Sequence, residues 1–145
     1  MSYKFLIRDL NSQKKIGTDK GLAKIGDGIV NLTYSIAKSI YLTKNSSNIL
    51  RTGLKVNKTI LSNALKNADM KHFAKNRADA HDLANTVEAI IAYAFLNDKM
   101  TLNEIIDFLK ENLSGDIKNR AQETKYASIA FTNLLNNIKK FLPED

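Results

Sequence analysis

Between Asp19 and Leu42 the chain sets Leu22, Ile25, Ile29, Leu32, Ile36 and Ile40 at intervals of three and four residues. That is the repeat of an amphipathic α-helix and excludes a strand, whose faces alternate every two residues. The single proline is Pro143, so nothing in the body of the chain kinks a helix. No strand-like alternation runs longer than a few residues. The sequence therefore predicts an all-α fold of about six to eight helices.

The boundaries follow from capping signals. Tyr3 to about Lys15 reads as a short helix ending in a turn at Gly17, and Thr18 or Asp19 caps the long helix to about Leu42. Ser46 or Ser47 is placed to cap a helix running to about Lys55. Asn57 is placed to cap the next, from Lys58 to about Asn67, with Ile60, Leu61, Ala64 and Leu65 inward. Asp69–Ala80 is polar and reads as a short helix plus loop. A helix from about Asp79 to Leu96 carries Leu83, Val87, Ile90, Ile91, Ala94 and Phe95. Thr101-Leu102-Asn103-Glu104 is a capping box opening another helix, broken at Ser114-Gly115-Asp116. A last helix spans about Ile117 to Phe141.

The length, 145 residues, suits one domain over 1–145 that buries roughly 70% of its unfolded surface. There is no cysteine, which removes disulfides, thiolate zinc sites and cysteine nucleophiles. No apolar run approaches the ~20 residues of a membrane span, and Met1–Arg8 lacks a signal peptide's apolar core of about 7–15 residues. A cytoplasmic location is expected. The net charge of +7 is uneven: +3 over residues 1–37, +8 over 38–77 and −4 over 78–145. A phosphate backbone would be drawn to the middle third, with Arg51, Lys55, Lys58, Lys66, Lys71, Lys75 and Arg77. A solvated lysine-rich face accounts for the same charges equally well.

Asp27 and Glu88 each interrupt a stretch that is otherwise apolar. A buried carboxylate is costly unless a cation or hydrogen-bond donors compensate it. Two of them on helices that pack face to face suggest a site for a hard cation such as Mg²⁺. Gly26 and Gly28 cost about 1 kcal/mol each in helix propensity relative to Ala, which fits a crowded contact around Asp27.

These segments resemble the ribonuclease III catalytic domain. Ile25-Gly26-Asp27 is similar to the end of that family's Leu-Glu-Phe-Leu-Gly-Asp signature, and Glu88-Ala89-Ile90-Ile91 to its Asp-x-x-Glu-Ala motif with the apolar run that follows. Between them, Arg51-Thr52-Gly53-Leu54-Lys55-Val56-Asn57-Lys58 resembles Arg-x-x-Leu-x-x-Asn-Lys. The resemblance covers about residues 20–97. It is nearest to stand-alone archaeal ribonuclease III-like proteins and, in Leu22-Ala23-Lys24-Ile25-Gly26-Asp27, to the compact Mini-III branch. No double-stranded-RNA-binding domain is expected after it.

The resemblance implies a helical endonuclease domain that works as a homodimer on double-stranded or structured RNA, with Mg²⁺ as cofactor and Mn²⁺ as a substitute. It makes Asp27 and Glu88 the catalytic and metal-holding residues. Two further family carboxylates are replaced, by Ala23 and Asn85. Asn85 offers only a neutral carbonyl oxygen, and Asp82, one turn earlier, is placed to add a charge through water. Arg51, Lys55, Lys58, Lys75 and Arg77 form the RNA-binding set. Arg51, Lys55 and Lys58 follow one strand's phosphates if a single turn pattern holds, while Asn57 suits a helix cap better than RNA contact.

Other readings stay open. Asp27 and Glu88 can be relics bonded to Asn31, Thr86, Asn85 or Lys24, in a noncatalytic dimeric RNA-binding or assembly module. His81-Asp82 invites comparison with metal-dependent HD phosphohydrolases, with His72 upstream and Asp107 or Asp116 downstream, but that spacing is poor. Val30, Tyr34, Ala37 and Tyr41 give the long helix apolar surface beyond one stripe, which marks either a central helix or a dimer interface.

Overall fold

A helix that is apolar all round is a central helix, and Ala80–Leu96 is one: Leu83, Ala84, Val87, Ala89, Ile90, Ile91, Ala92 and Ala94 are all buried. The computed structural model describes residues 2–144. Six α-helices follow in chain order: α1 (Gln13–Gly17), α2 (Lys20–Lys44), α3 (Lys58–Asn67), α4 (Ala80–Leu96), α5 (Leu102–Asn112) and α6 (Arg120–Ile138). Short 3₁₀ turns lie at Lys4–Ile7, Lys71–Phe73 and Lys139–Phe141, and there is no strand among the described residues. Helices α1, α2, α3 and α6 all pack on α4, and α5 bridges α2 and α6. No helix among the described residues is long and apolar enough to cross a membrane.

The caps lie where the side chains permit them. Asp19 accepts the Leu22 N–H at 2.8 Å and starts α2, and Asn57 accepts the Thr59 N–H at 2.6 Å and starts α3. Capping boxes open α4 (Asp79 with Asp82) and α5 (Thr101 with Glu104). Further along α2, Glu123 of α6 accepts from Lys38 Nζ and from the Tyr34 hydroxyl, each at 2.7 Å. This trio, with Tyr34 buried and the two charged groups largely covered, ties α6 to α2, and burial, with the Glu123 carboxylate beside it, holds the Tyr34 phenol un-ionised well above its usual range.

Four expectations are corrected. The segment from Tyr3 to Lys15 is not one helix: a 3₁₀ turn stops at Ile7, and Ser12 opens α1 by accepting the Lys15 N–H. No helix runs from Ser46 to Lys55; residues 49–57 are extended instead. On α2 the stripe Ile25, Leu32 and Ile36 faces outward, whereas Ala23, Gly26, Val30, Thr33, Tyr34 and Ala37 share the core with Leu22 and Ile29. The helix has two apolar faces, and the core takes the one that carries Gly26, where the α4 backbone comes closest. Of the two glycines flanking Asp27, only Gly26 is crowded; a Cβ on Gly28 would meet nothing within 4 Å.

The extended segment is attached to α2 by side chains rather than by a sheet. Asn31, Ser35, Ser39 and Thr43 stand four residues apart on one face of α2. Their oxygens accept the N–H groups of Val56 (2.7 Å), Leu54 (3.0 Å), Thr52 (2.9 Å) and Leu50 (2.9 Å), in reverse order. Ser35, Ser39 and Thr43 also lie 3.2–3.3 Å from the carbonyls of the same partners. The helix thus satisfies backbone groups of an antiparallel neighbour, as the edge of a sheet would. The even-numbered residues face α2, so Arg51, Gly53, Lys55 and Asn57 face solvent.

Candidate functional site

The site lies where α2 crosses α4. Gly26 lets the α2 backbone press directly on the Glu88 backbone; any Cβ there would overlap the Glu88 carbonyl. That contact sets the next residue, Asp27, beside the Glu88 side chain, and the two carboxyl groups share a hydrogen bond. Glu88 is only 8% exposed. Burial, then the hydrogen bond and the negative charge of Asp27, push its carboxyl up to about 8, so it holds the shared proton. Asp27 is lowered in turn, first by the bond from Glu88 and next by Lys55.

Two further groups fix Asp27. Its Oδ1 accepts from Asn31 Nδ2 at 3.1 Å and from Lys55 Nζ at 2.8 Å. The other end of the Asn31 amide accepts the Val56 N–H, so one side chain holds both the carboxylate and the segment that carries Lys55.

These groups open into a cleft of about 1010 Å³. It brings together Asp27, Glu88, Asn85 and Asp82 with Lys55, Lys58 and Lys75. Arg51 does not line it; it borders a shallow apolar groove with Ile36 and Ile40. Arg77 does not line it either and sits in a left-handed conformation, φ 59°. The expectation that Arg51, Lys55 and Lys58 follow one turn pattern fails because Arg51 and Lys55 belong to the extended segment, about 13 Å apart along it, and Lys58 begins α3. Lys20 and Lys24 also line the cleft, although sequence reasoning gave neither an RNA-binding role. Their signal was available: Lys20, Lys24 and Asp27 share one face of a helix. Five lysines and four carboxylates surround the cleft.

The remaining candidates have other partners. Asp82 Oδ2 accepts the Asp79 N–H at 3.0 Å and lies 3.4 Å from Lys75 Nζ; the backbone bond first, with Lys75 adding to it, lowers its carboxyl. Thr86 is bonded to the Gly17 carbonyl at 2.7 Å rather than to either carboxylate. Ala23 is buried at the edge of the cleft. Asp107 pairs with Lys110 on α5, away from His81, and no group of three or more His, Cys, Asp or Glu converges among the described residues. The HD arrangement has no support.

The donor set fits one hard divalent cation. Mg²⁺ commonly takes one or two carboxylates and completes its shell with water and phosphate oxygens, and Asp27 and Glu88 present two carboxyl groups at one point.

A family model described as Ribonuclease III matches residues 20–143, which takes in α2 through α6. The chain belongs to the ribonuclease III family. That family is typically Mg²⁺-dependent. No curated protein matches the chain.

Proposed function

We propose that the protein is a metal-dependent endoribonuclease that hydrolyses phosphodiesters in double-stranded or structured RNA. The observation that carries this reading is the convergence of Asp27 and Glu88, at the Gly26 crossing, in a cleft bordered by lysines. Asp27 and Glu88 hold Mg²⁺, with Mn²⁺ as a substitute; Asn85, one turn before Glu88, acts through water, and Asp82 lines the same cleft, paired with Lys75. A bound Mg²⁺ supplies Lewis acidity and a lowered water pKa. In the reaction a water oxygen bonds to phosphorus and the bond to the 3′ oxygen breaks. That oxygen leaves with the electron pair and takes a proton, giving 5′-phosphate and 3′-hydroxyl ends. Lys55, Lys58 and Lys75, together with Lys20 and Lys24, bind RNA phosphates, so affinity rests on charge and shape rather than base reading.

The protein acts as a homodimer through the outward stripe of α2. Ile25 is 42%, Leu32 49% and Ile36 38% exposed, an unusual apolar run for a free surface. A two-fold axis there aligns two clefts for the two strands of a duplex. Residues 1–145 form one such domain. Leu22-Ala23-Lys24-Ile25-Gly26-Asp27 favours the branch that lacks the upstream carboxylate, and the lysine-bordered cleft suits a structured target such as a ribosomal RNA precursor.

Ala23 and Asn85 favour a second reading, a noncatalytic dimeric RNA-binding module. Cleavage of a labelled structured RNA with Mg²⁺ or Mn²⁺, comparing the wild type with an Asp27→Asn, Glu88→Gln double variant, separates the two. Metal-dependent cutting lost in the variant supports the endonuclease. Equal RNA binding by both proteins, with cutting by neither, supports the module.

A further inference from the structure

The position of Lys55 is set by the fold. Its neighbours on either side are fastened to α2, Leu54 through Ser35 and Val56 through Asn31, and the same Asn31 amide holds Asp27. The ladder therefore fixes the backbone that carries Lys55, whose ammonium lies 2.8 Å from the Asp27 carboxylate. The carboxylates of the site are few: Ala23 and Asn85 replace two, and no third acid joins Asp27 and Glu88 among the described residues. A pair of divalent ions sits about 3.5–4 Å apart in two-metal sites, and two carboxylates would leave half of such a pair's charge uncompensated, with the Lys55 ammonium adding to the excess. One divalent ion and one ammonium balance two carboxylates and a phosphate far more closely.

We propose that Lys55 replaces a second metal ion: each chain binds one divalent cation between Asp27 and Glu88, and the Lys55 ammonium contacts the phosphate oxygens of the RNA at the reacting group. This rests on the endonuclease reading above. On RNA binding the ammonium exchanges one Asp27 oxygen for a phosphate oxygen, a move its exposed side chain permits (75% accessible). No proton transfer is required of it. Its task is electrostatic, and a positioned charge of this kind supports the rate by stabilising negative charge as the 3′ oxygen departs.

The test counts metal ions. Mn²⁺ binding to the full chain is measured by electron paramagnetic resonance and calorimetry for the wild type, Lys55→Met and Lys55→Arg, beside RNA cleavage at saturating Mn²⁺. The wild type is expected to bind one Mn²⁺ per chain. Lys55→Met is expected to bind one Mn²⁺ about five- to tenfold tighter, because a repelling charge is gone. Its cleavage is expected to fall about 100-fold, with Lys55→Arg restoring most of it. Two Mn²⁺ per wild-type chain, or full cleavage by Lys55→Met, would overturn the role of Lys55 and leave the metal-dependent endonuclease standing. No Mn²⁺ at all would overturn both. Lys55 is exposed, so the variants keep the fold, and circular dichroism verifies it.

Discussion

Gly26 and Glu88 meet backbone to backbone: a Cβ at position 26 would overlap the carbonyl oxygen, carbonyl carbon and Cα of Glu88. The encroached atoms are main chain of the central helix and cannot rotate away. Gly26→Ala is therefore expected to push α2 off α4, lowering stability by about 3 kcal/mol or more and separating Asp27 from Glu88. The same change at Gly28, where an added Cβ meets nothing, is expected to gain about 1 kcal/mol of helix propensity instead. Urea titrations of the two variants check the contrast.

Glu88 makes the metal-free protein sensitive to pH. Its carboxyl sits at about 8 in the folded chain against an ordinary 4.5, so the folded state binds the extra proton. The stabilisation from that proton is complete below about pH 4.5 and is lost as pH rises through about 8. Wild-type thermal stability, measured with chelator present, is expected to fall relative to Glu88→Gln from pH 5 to 8. Parallel curves for the two proteins would contradict this. Divalent ions, which bind the carboxylate, are expected to remove the difference above neutral pH.

The ladder on α2 was the least legible part of the fold. Asn57, Thr101-Glu104 and Asp79-Asp82 announce helices because each signal lies within four residues of its partner. Thr52 and Leu54 find their partners in Ser39 and Ser35, thirteen and nineteen residues earlier, on the side chains of another element. No local pattern reports such pairing, so Ser46–Lys55 reads as helix by default. The two stripes of α2 repeat at the same period, and periodicity cannot say which one meets α4. Asp27 and Glu88 were legible because charge inside an apolar run is conspicuous in one dimension; their meeting depends on Gly26. The open surroundings of Gly28, its apparent twin, appear only in three dimensions.

Ser39→Ala removes the acceptor for Thr52 N–H, and a lost hydrogen bond of this type costs about 1 kcal/mol. Amide exchange measured by NMR is expected to speed up at Thr52 first. Asn31→Ala is expected to free Val56 N–H and loosen Asp27 together, since both depend on one amide.

Glu123→Ala leaves the Lys38 ammonium and the Tyr34 hydroxyl without their acceptor, in a place where both side chains are largely covered. Breaking a buried pair from one side costs about 3–5 kcal/mol, so this variant is expected to be among the least stable. Replacing Lys38 and Glu123 together by Met and Gln is expected to recover part of the loss. Chemical denaturation measures both.

Leu32→Glu and Ile36→Glu place charge on the outward stripe of α2 without touching the core. Sedimentation is expected to show monomers that retain wild-type helicity. A dimer that survives both changes would move the interface elsewhere.

The pairing of α2 with residues 50–56 works as a reading frame. Four helical residues advance about 6 Å and two extended residues about 6.7 Å, so the spacings agree for a few rungs and then drift apart. Within that span a one-residue insertion or deletion inverts every side chain beyond it, turning Lys55 toward α2 and an apolar neighbour toward the cleft. At Ser46–Asn48, before the first rung, the same change leaves the frame intact. Length variation is therefore confined to the tip of the connection, and the stretch that bears Arg51 and Lys55 can change in composition but not in count.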